Sequence, residues 1–305
     1  MSKSELFVRL QPGGAYSVVN ESITTGNIFF VDSGSATGAD VASYGRQPDK
    51  PFLTLDFAVG YCTDNNGDVI YLMPGHAETI ATVTALTLDK AGVRVLGLGS
   101  GYSMPTFTLS AEASTVNITA ANCHVENIKL YSTYTGGLTI GITVGALADG
   151  LVLKNVIMEE SLNTTEFLTG ISIAAACNHV TIDGLKYYGI AGGSDVSAIV
   201  FAGASNFSIV KNCEIYGDFS GAAIDALGAA SILMTFYNNV IHNVDGSAGL
   251  LISTEATTTG IMANCSGYSA TNDVSFAGAG MAFFECYTTN ALGAHQGRLL
   301  PVADT

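Results

Sequence analysis

Apolar and polar residues alternate along most of this chain with a period of two, and the apolar ones are rich in Val, Ile, Phe and Tyr, which predicts short β-strands rather than helices. The alternation itself recurs. Val125-Glu126-Asn127-Ile128 is echoed by Leu153-Lys154-Asn155-Val156, Ile182-Asp183-Gly184-Leu185 and Val210-Lys211-Asn212-Cys213, and further copies are anchored at Asn239, Asn264 and Glu285. The anchors Asn127, Asn155, Gly184, Asn212, Asn239, Asn264 and Glu285 are spaced by 28, 29, 28, 27, 25 and 21 residues. A repeat of this length signals a solenoid, in which each unit buries its apolar side against its neighbours. Two positions before the anchor, Val125, Leu153, Ile182, Val210, Tyr237, Met262 and Phe283 are all apolar. One position after it stand Ile128, Val156, Leu185, Cys213, Val240, Cys265 and Cys286. Both columns are expected to point inward. The column between them (Glu126, Lys154, Asp183, Lys211, Asn238) is polar and expected to point out, with its alternating charges paired from coil to coil. The anchors Asn127, Asn155, Asn212, Asn239 and Asn264 are expected at a corner, because Asn tolerates φ > 0, and to bond to one another as a ladder.

A further strand precedes each anchor by about a dozen residues, as at residues 139–144, 170–173, 198–201, 223–226 and 249–252. The reading is an all-β chain: a single-stranded, right-handed parallel β-helix over residues 28–290, flanked by an N-terminal arm (1–27) and a C-terminal tail (291–305). Near the start, Leu55, Ala58, Val59 and Cys62 fall at helical spacing behind Thr54, which predicts a short capping helix with Thr54 as its N-cap. A terminal solenoid repeat needs such a cap to cover its open apolar end.

The segments Phe30-Val31-Asp32-Ser33, Pro51-Phe52-Leu53-Thr54-Leu55 and Gly67-Asp68-Val69-Ile70-Tyr71-Leu72-Met73-Pro74-Gly75 resemble the opening of the pectate-lyase-like right-handed β-helix superfamily, in the form found in bacteriophage virion proteins and tailspikes. The motif spans about 50 residues, and the coil pattern extends the likeness to about residue 290. The resemblance implies the fold strongly and activity weakly, since that fold hosts lyases, hydrolases and inert structural proteins.

Composition narrows the function. The net charge is −15 with 11 Lys and Arg, so no basic face for nucleic acid is expected. No apolar run is long enough for a membrane helix, and Met1 to Val8 carries no secretory h-region, which places synthesis in the host cytoplasm. The 48% hydrophobic content against 12% charged calls for a large interior and a large subunit interface. The cysteines and histidines show no metal-ligand spacing, so no metal and no cofactor are expected.

Lyases of this superfamily eliminate with an Arg or Lys base beside clustered carboxylates. No Arg lies between residues 95 and 297, and Lys129, Lys154, Lys186 and Lys211 each have an acid nearby. Hydrolytic tailspikes use paired acids instead, and the best candidates for a pair are Asp183, Glu214, Asp218 and Asp225. Four residues after the anchor, Tyr131, Tyr188, Tyr216 and Tyr268 form a column able to stack on sugars, interrupted by Glu159 and Asn243. The functional expectation is a non-catalytic virion structural protein, a homotrimeric capsid decoration, turret or spike that meets other virion proteins through 1–27 and 291–305. The alternative is a tailspike that grips or cleaves host surface polysaccharide.

Overall fold

The computed structural model describes residues 26–247, 250–270 and 276–290, with the short strands Val8–Arg9, Tyr16–Ser17 and Arg298–Leu299. The expected parallel β-helix is the fold. Each regular coil contributes three strands, one to each of three sheets. The first sheet stacks ten strands from Ile28–Val31 to Met281–Phe284, the second runs from Ala77–Ile80 to Tyr287–Asn290, and the third stacks eight from Thr87–Leu88 to Phe276–Ala277. One coil reads, for example, Val152–Lys154 in the first sheet, Ile157–Glu160 in the second and Phe167–Ile173 in the third.

The corner between the first and second sheets explains the anchor residues. Asn127, Asn155, Asn212, Asn238, Asn264 and Glu285 all have φ between 48° and 61°, and Gly184 has 74°. The backbone there is left-handed, where Asn and Gly are favoured and other L-residues are strained. One anchor expectation is corrected. In the fifth repeat the corner is Asn238, since Lys211 pairs with Tyr237 and so places Asn238 beside Asn212. Asn239 is not a corner residue but a fully buried one, its Oδ1 accepting from Cys213 N at 3.0 Å and its Nδ2 donating to Val210 O at 3.0 Å. The same shift turns Tyr237 (44% exposed) and Val240 (53%) outward, and Phe236 is the inward residue. The side-chain ladder is also partial. Asn238 bonds to Asn212 at 2.9 Å, but Asn212 bonds to Asp183, Asn264 to the Tyr237 hydroxyl and Asn127 to Gly97 O.

The helix is Leu55–Gly60, packed through Leu55, Ala58 and Val59 on the first coil. Thr54 occupies the N-cap position but makes no capping bond; its hydroxyl donates to Asp40 Oδ2 at 2.9 Å. The first helical N–H, that of Leu55, is received by Glu78 Oε2 at 3.0 Å instead. At the far end Arg298–Leu299 adds antiparallel to Tyr287–Asn290, so the expected tail joins the second sheet of its own chain at those two residues. Within the N-terminal arm, Val8–Arg9 pairs antiparallel with Tyr16–Ser17. The rest of the expected docking segments 1–27 and 291–305 lies almost wholly outside the described residues.

Candidate functional site

The outward charges behave as the sequence predicts. Parallel register sets Glu126 beside Lys154, Lys154 beside Asp183 and Asp183 beside Lys211. Lys154 Nζ meets Glu126 Oε1 at 2.9 Å, Lys211 meets Asp183 at 3.3 Å, Lys186 meets Glu214 at 3.6 Å, and Lys129 pairs with Glu159.

The four candidate catalytic acids occupy different elements of the coil. Asp183 lies on the first sheet with Lys211, and Glu214 on the second with Lys186. Asp218 follows the Glu214–Gly217 strand and accepts from Gly192 N at 2.6 Å, while Asp225 sits on the third sheet and accepts from Leu227 N at 2.9 Å. Asp183, Glu214 and Asp225 thus stand on three different sheets, and Asp183 and Glu214 are each ion-paired to a lysine.

The tyrosine column stands in register, interrupted by Glu159 and His242. Along the second sheet Tyr131, Glu159, Tyr188, Tyr216, His242 and Tyr268 stand in register. The fifth-repeat shift corrects Asn243 to His242 in this column. His242 packs edge-on between Tyr216 and Tyr268, at centroid distances of 5.0 and 4.5 Å, and its partial burial lowers its pKa, favouring the neutral ring. The Lys129 ammonium sits 5.3 Å above the Tyr131 ring. The result is an outward aromatic track at Tyr216, His242 and Tyr268, each half-buried.

A second cluster was not foreseen. At the inward position closing the second-sheet strands, neighbouring coils carry Ser132, Glu160, Gly189, Gly217 and Asn243. The two glycines make room for side chains arriving from the following turn. A Cβ at Gly189 would lie 2.8 Å from Asp195 Oδ2, and one at Gly217 would lie 2.5 Å from the Phe219 ring. Glu160 therefore faces Asp195 inside the rod, with Tyr187 beside both and Glu166 at the end of the turn that follows Glu160. Glu160 accepts from Phe167 N at 2.9 Å, Ile190 N at 3.2 Å and the Tyr187 hydroxyl at 2.8 Å. Asp195 is fully buried, and its Oδ1, like Oε2 of the buried Glu166, has no hydrogen-bond partner. Burial is the chief cause pushing the Glu160 carboxyl up to about 7 and that of Asp195 to about 9; the mutual repulsion of the acids adds to it. The Tyr187 phenol is raised for the same reasons. The signal available in the sequence was parity: in Ile157-Met158-Glu159-Glu160, Met158 points in, and so must Glu160.

A third set of residues has the types of a catalytic triad but other wiring. Buried His76 accepts from Ser33 N at Nδ1 (3.1 Å) and faces Glu78 Oε2 through Nε2 (3.3 Å), while Ser33 Oγ accepts from Ala77 N. No hydroxyl is presented to the imidazole as a nucleophile. These bonds tie the cap to the first coils. All six cysteines are free and buried, and burial pushes the Cys62 and Cys213 thiols up to about 12. Among the described residues no group of three His, Cys, Asp or Glu has the geometry to hold a metal ion, and no helix is long and apolar enough to cross a membrane.

No protein-family model matches this chain, and neither does any curated protein. Among solved structures it is similar to one named rhamnogalacturonan lyase, at 10% identity over 90% of each chain with a TM-score of 0.43. At that degree of likeness no activity carries across.

Apolar side chains remain on the outside. Tyr237, Val240, Ile261, Phe284 and Tyr287 are between 44% and 62% exposed and crowd the first two sheets of the last coils.

Proposed function

We propose that this chain is a non-catalytic structural protein of a bacteriophage virion, a β-helical rod serving as capsid decoration, turret or spike. It works as a homotrimer, with residues 1–27 and 291–305 as its contacts to other virion proteins. The observation that carries this reading is the change in the outward columns of the first two sheets, which hold ion pairs in the middle coils and exposed Tyr237, Val240, Phe284 and Tyr287 in the last ones. Such a face suits burial between copies of the same chain. The phage-like opening motif points to a virion. Native mass spectrometry at micromolar concentration should give three times the 31.4 kDa chain mass. A monomer sinks the reading, and so does absence of the protein from purified particles.

The second reading is a receptor-binding spike, supported by the Tyr216–His242–Tyr268 track. Aromatic faces stack on sugar rings. It predicts binding to host surface glycan that Tyr216→Ala weakens, and depolymerisation abolished by Asp183→Asn or Glu214→Gln would displace the structural reading altogether.

A further inference from the structure

The turn between the second and third sheets holds more acid than its hydrogen bonds can support. Glu160 receives three donors, one of them the single phenolic proton of Tyr187. The same hydroxyl lies 3.4 Å from Asp195 Oδ2, too far to serve both. Asp195 Oδ1 receives nothing. Every other charged or titratable group facing the pair is acidic or phenolic. Glu166 enters from the residue before the Phe167–Ile173 strand, Tyr187 from the Lys186–Tyr188 strand, and Asp218 caps the rim through Gly192 N. From the preceding coil comes Ser132, whose buried Oγ also has no partner. The lysines of these strands point outward: Lys186 to Glu214 and, one coil earlier, Lys129 to Glu159. Two ionised carboxylates buried here would have no compensating cation among the described residues, and a buried, uncompensated charge is costly. One proton between them removes a charge and supplies the missing donor, because a protonated carboxyl bonds directly to its ionised neighbour.

We propose that Glu160 and Asp195 hold one proton between them in the folded rod, and that releasing it to solvent loosens residues 189–196, making this turn a pH-sensitive latch in the middle of the solenoid. The geometry supports the assignment of roles. Glu160, with two backbone N–H donors and the phenol, is the carboxylate; Asp195, without a donor, is the acid. Half-buried Gly193 lies over the acids: a Cβ there would sit 3.4 Å from Asp195 Oδ1 and 3.7 Å from Glu166 Oε2. The sign follows from the direction of both shifts. Folded carboxyls raised above their ordinary range near 4 contribute stability that is fully present below that range and is lost as pH rises through about 7 to 9.

The experiment compares the full chain with Asp195→Asn, which keeps a donor and cannot ionise, by thermal unfolding from pH 5 to 10. Wild type should lose on the order of 5 °C in Tm between pH 5 and 9, and Asp195→Asn should be nearly flat over that range. Hydrogen exchange, corrected for its intrinsic pH dependence, should quicken over residues 186–201 in wild type alone. Parallel Tm profiles for the two proteins overturn the proposal. So does a Ca²⁺-induced rise in the Tm of wild type at pH 8 that Asp195→Asn abolishes, since the cluster would then be a cation site. Should Asp195→Asn fail to fold, ¹³C carboxyl titration of the wild type decides: one coupled carboxyl pair titrating above pH 6 supports the latch, and none above pH 6 refutes it.

Discussion

A single outward column on the first sheet changes character along the rod. In the middle coils it runs Glu126, Lys154, Asp183, Lys211, each beside a residue of opposite sign. In the last coils the same register position holds Tyr237, Ala263 and Phe284. The adjoining outward column of the second sheet changes likewise, from Lys186 and Glu214 to Val240, Ser266 and Tyr287. The inward column does not change: Val125, Leu153, Ile182 and Val210 are followed by Phe236 and Met262, all buried. The solenoid constrains only what points in, because each coil is held by its interior and its neighbours. What points out is free to vary, and the two halves differ there in charge and polarity.

The largest test of this contrast is a test of its constant part. Phe236→Ala, in the apolar-faced half, removes a fully buried ring and should cost about 3–5 kcal/mol in urea unfolding. Leu153→Ala, in the charged half, should cost roughly 2–5 kcal/mol. A much smaller loss at Phe236 would mean that the last coils are loosely packed, and that their exposed side chains reflect a poor core rather than a covered face.

The next largest effect separates the two halves. Phe284→Lys should weaken self-association by about 2 kcal/mol, some 30-fold, as truncating an interfacial aromatic anchor does, with little change in the stability of the chain at high dilution. Lys154→Ala, at the equivalent register position of the charged half, should leave the association constant unchanged. Analytical ultracentrifugation reads both; equal effects from the two variants would abolish the distinction between the faces.

Much of this was legible in the residues. The period, the inward columns and the sign alternation of the ladder depend only on strand parity and coil length, which sequence carries directly. The misplaced anchor at Asn239 has a simple physical cause. Asn238 and Asn239 are adjacent and chemically identical, and only the hydrogen bonds decide which is the left-handed corner and which the buried partner of Cys213. The corrected steps around it are 26 and 26 rather than 27 and 25. The Glu160–Asp195 cluster was hidden for another reason. Its members come from different coils, and their meeting depends on the empty inward positions at Gly189 and Gly217, which pattern reading treats as turn residues. The apolar face was half visible, since Ala263 and Phe284 already broke the polar column.

The smallest effect probes whether the charged half is more than solvated. Glu126 is partly buried, which works to raise its pKa, yet the hydrogen bonds from Lys154 and His124 outweigh that and hold it below the usual carboxylate range. A depressed carboxyl contributes stability that is present above its ordinary pKa and lost as pH falls through its folded value. Lys154→Met should therefore cost less than about 1 kcal/mol at pH 7. The cost should shrink in molar salt, where the screening length falls to about 3 Å, and vanish under acid conditions that protonate Glu126. Urea unfolding at pH 7 and pH 3, each with and without salt, measures all three. A salt-independent loss of 2 kcal/mol or more would show that the ladder holds the coils together as the core does, and the division between a constraining interior and a freely varying exterior would fail in the half where it looks clearest.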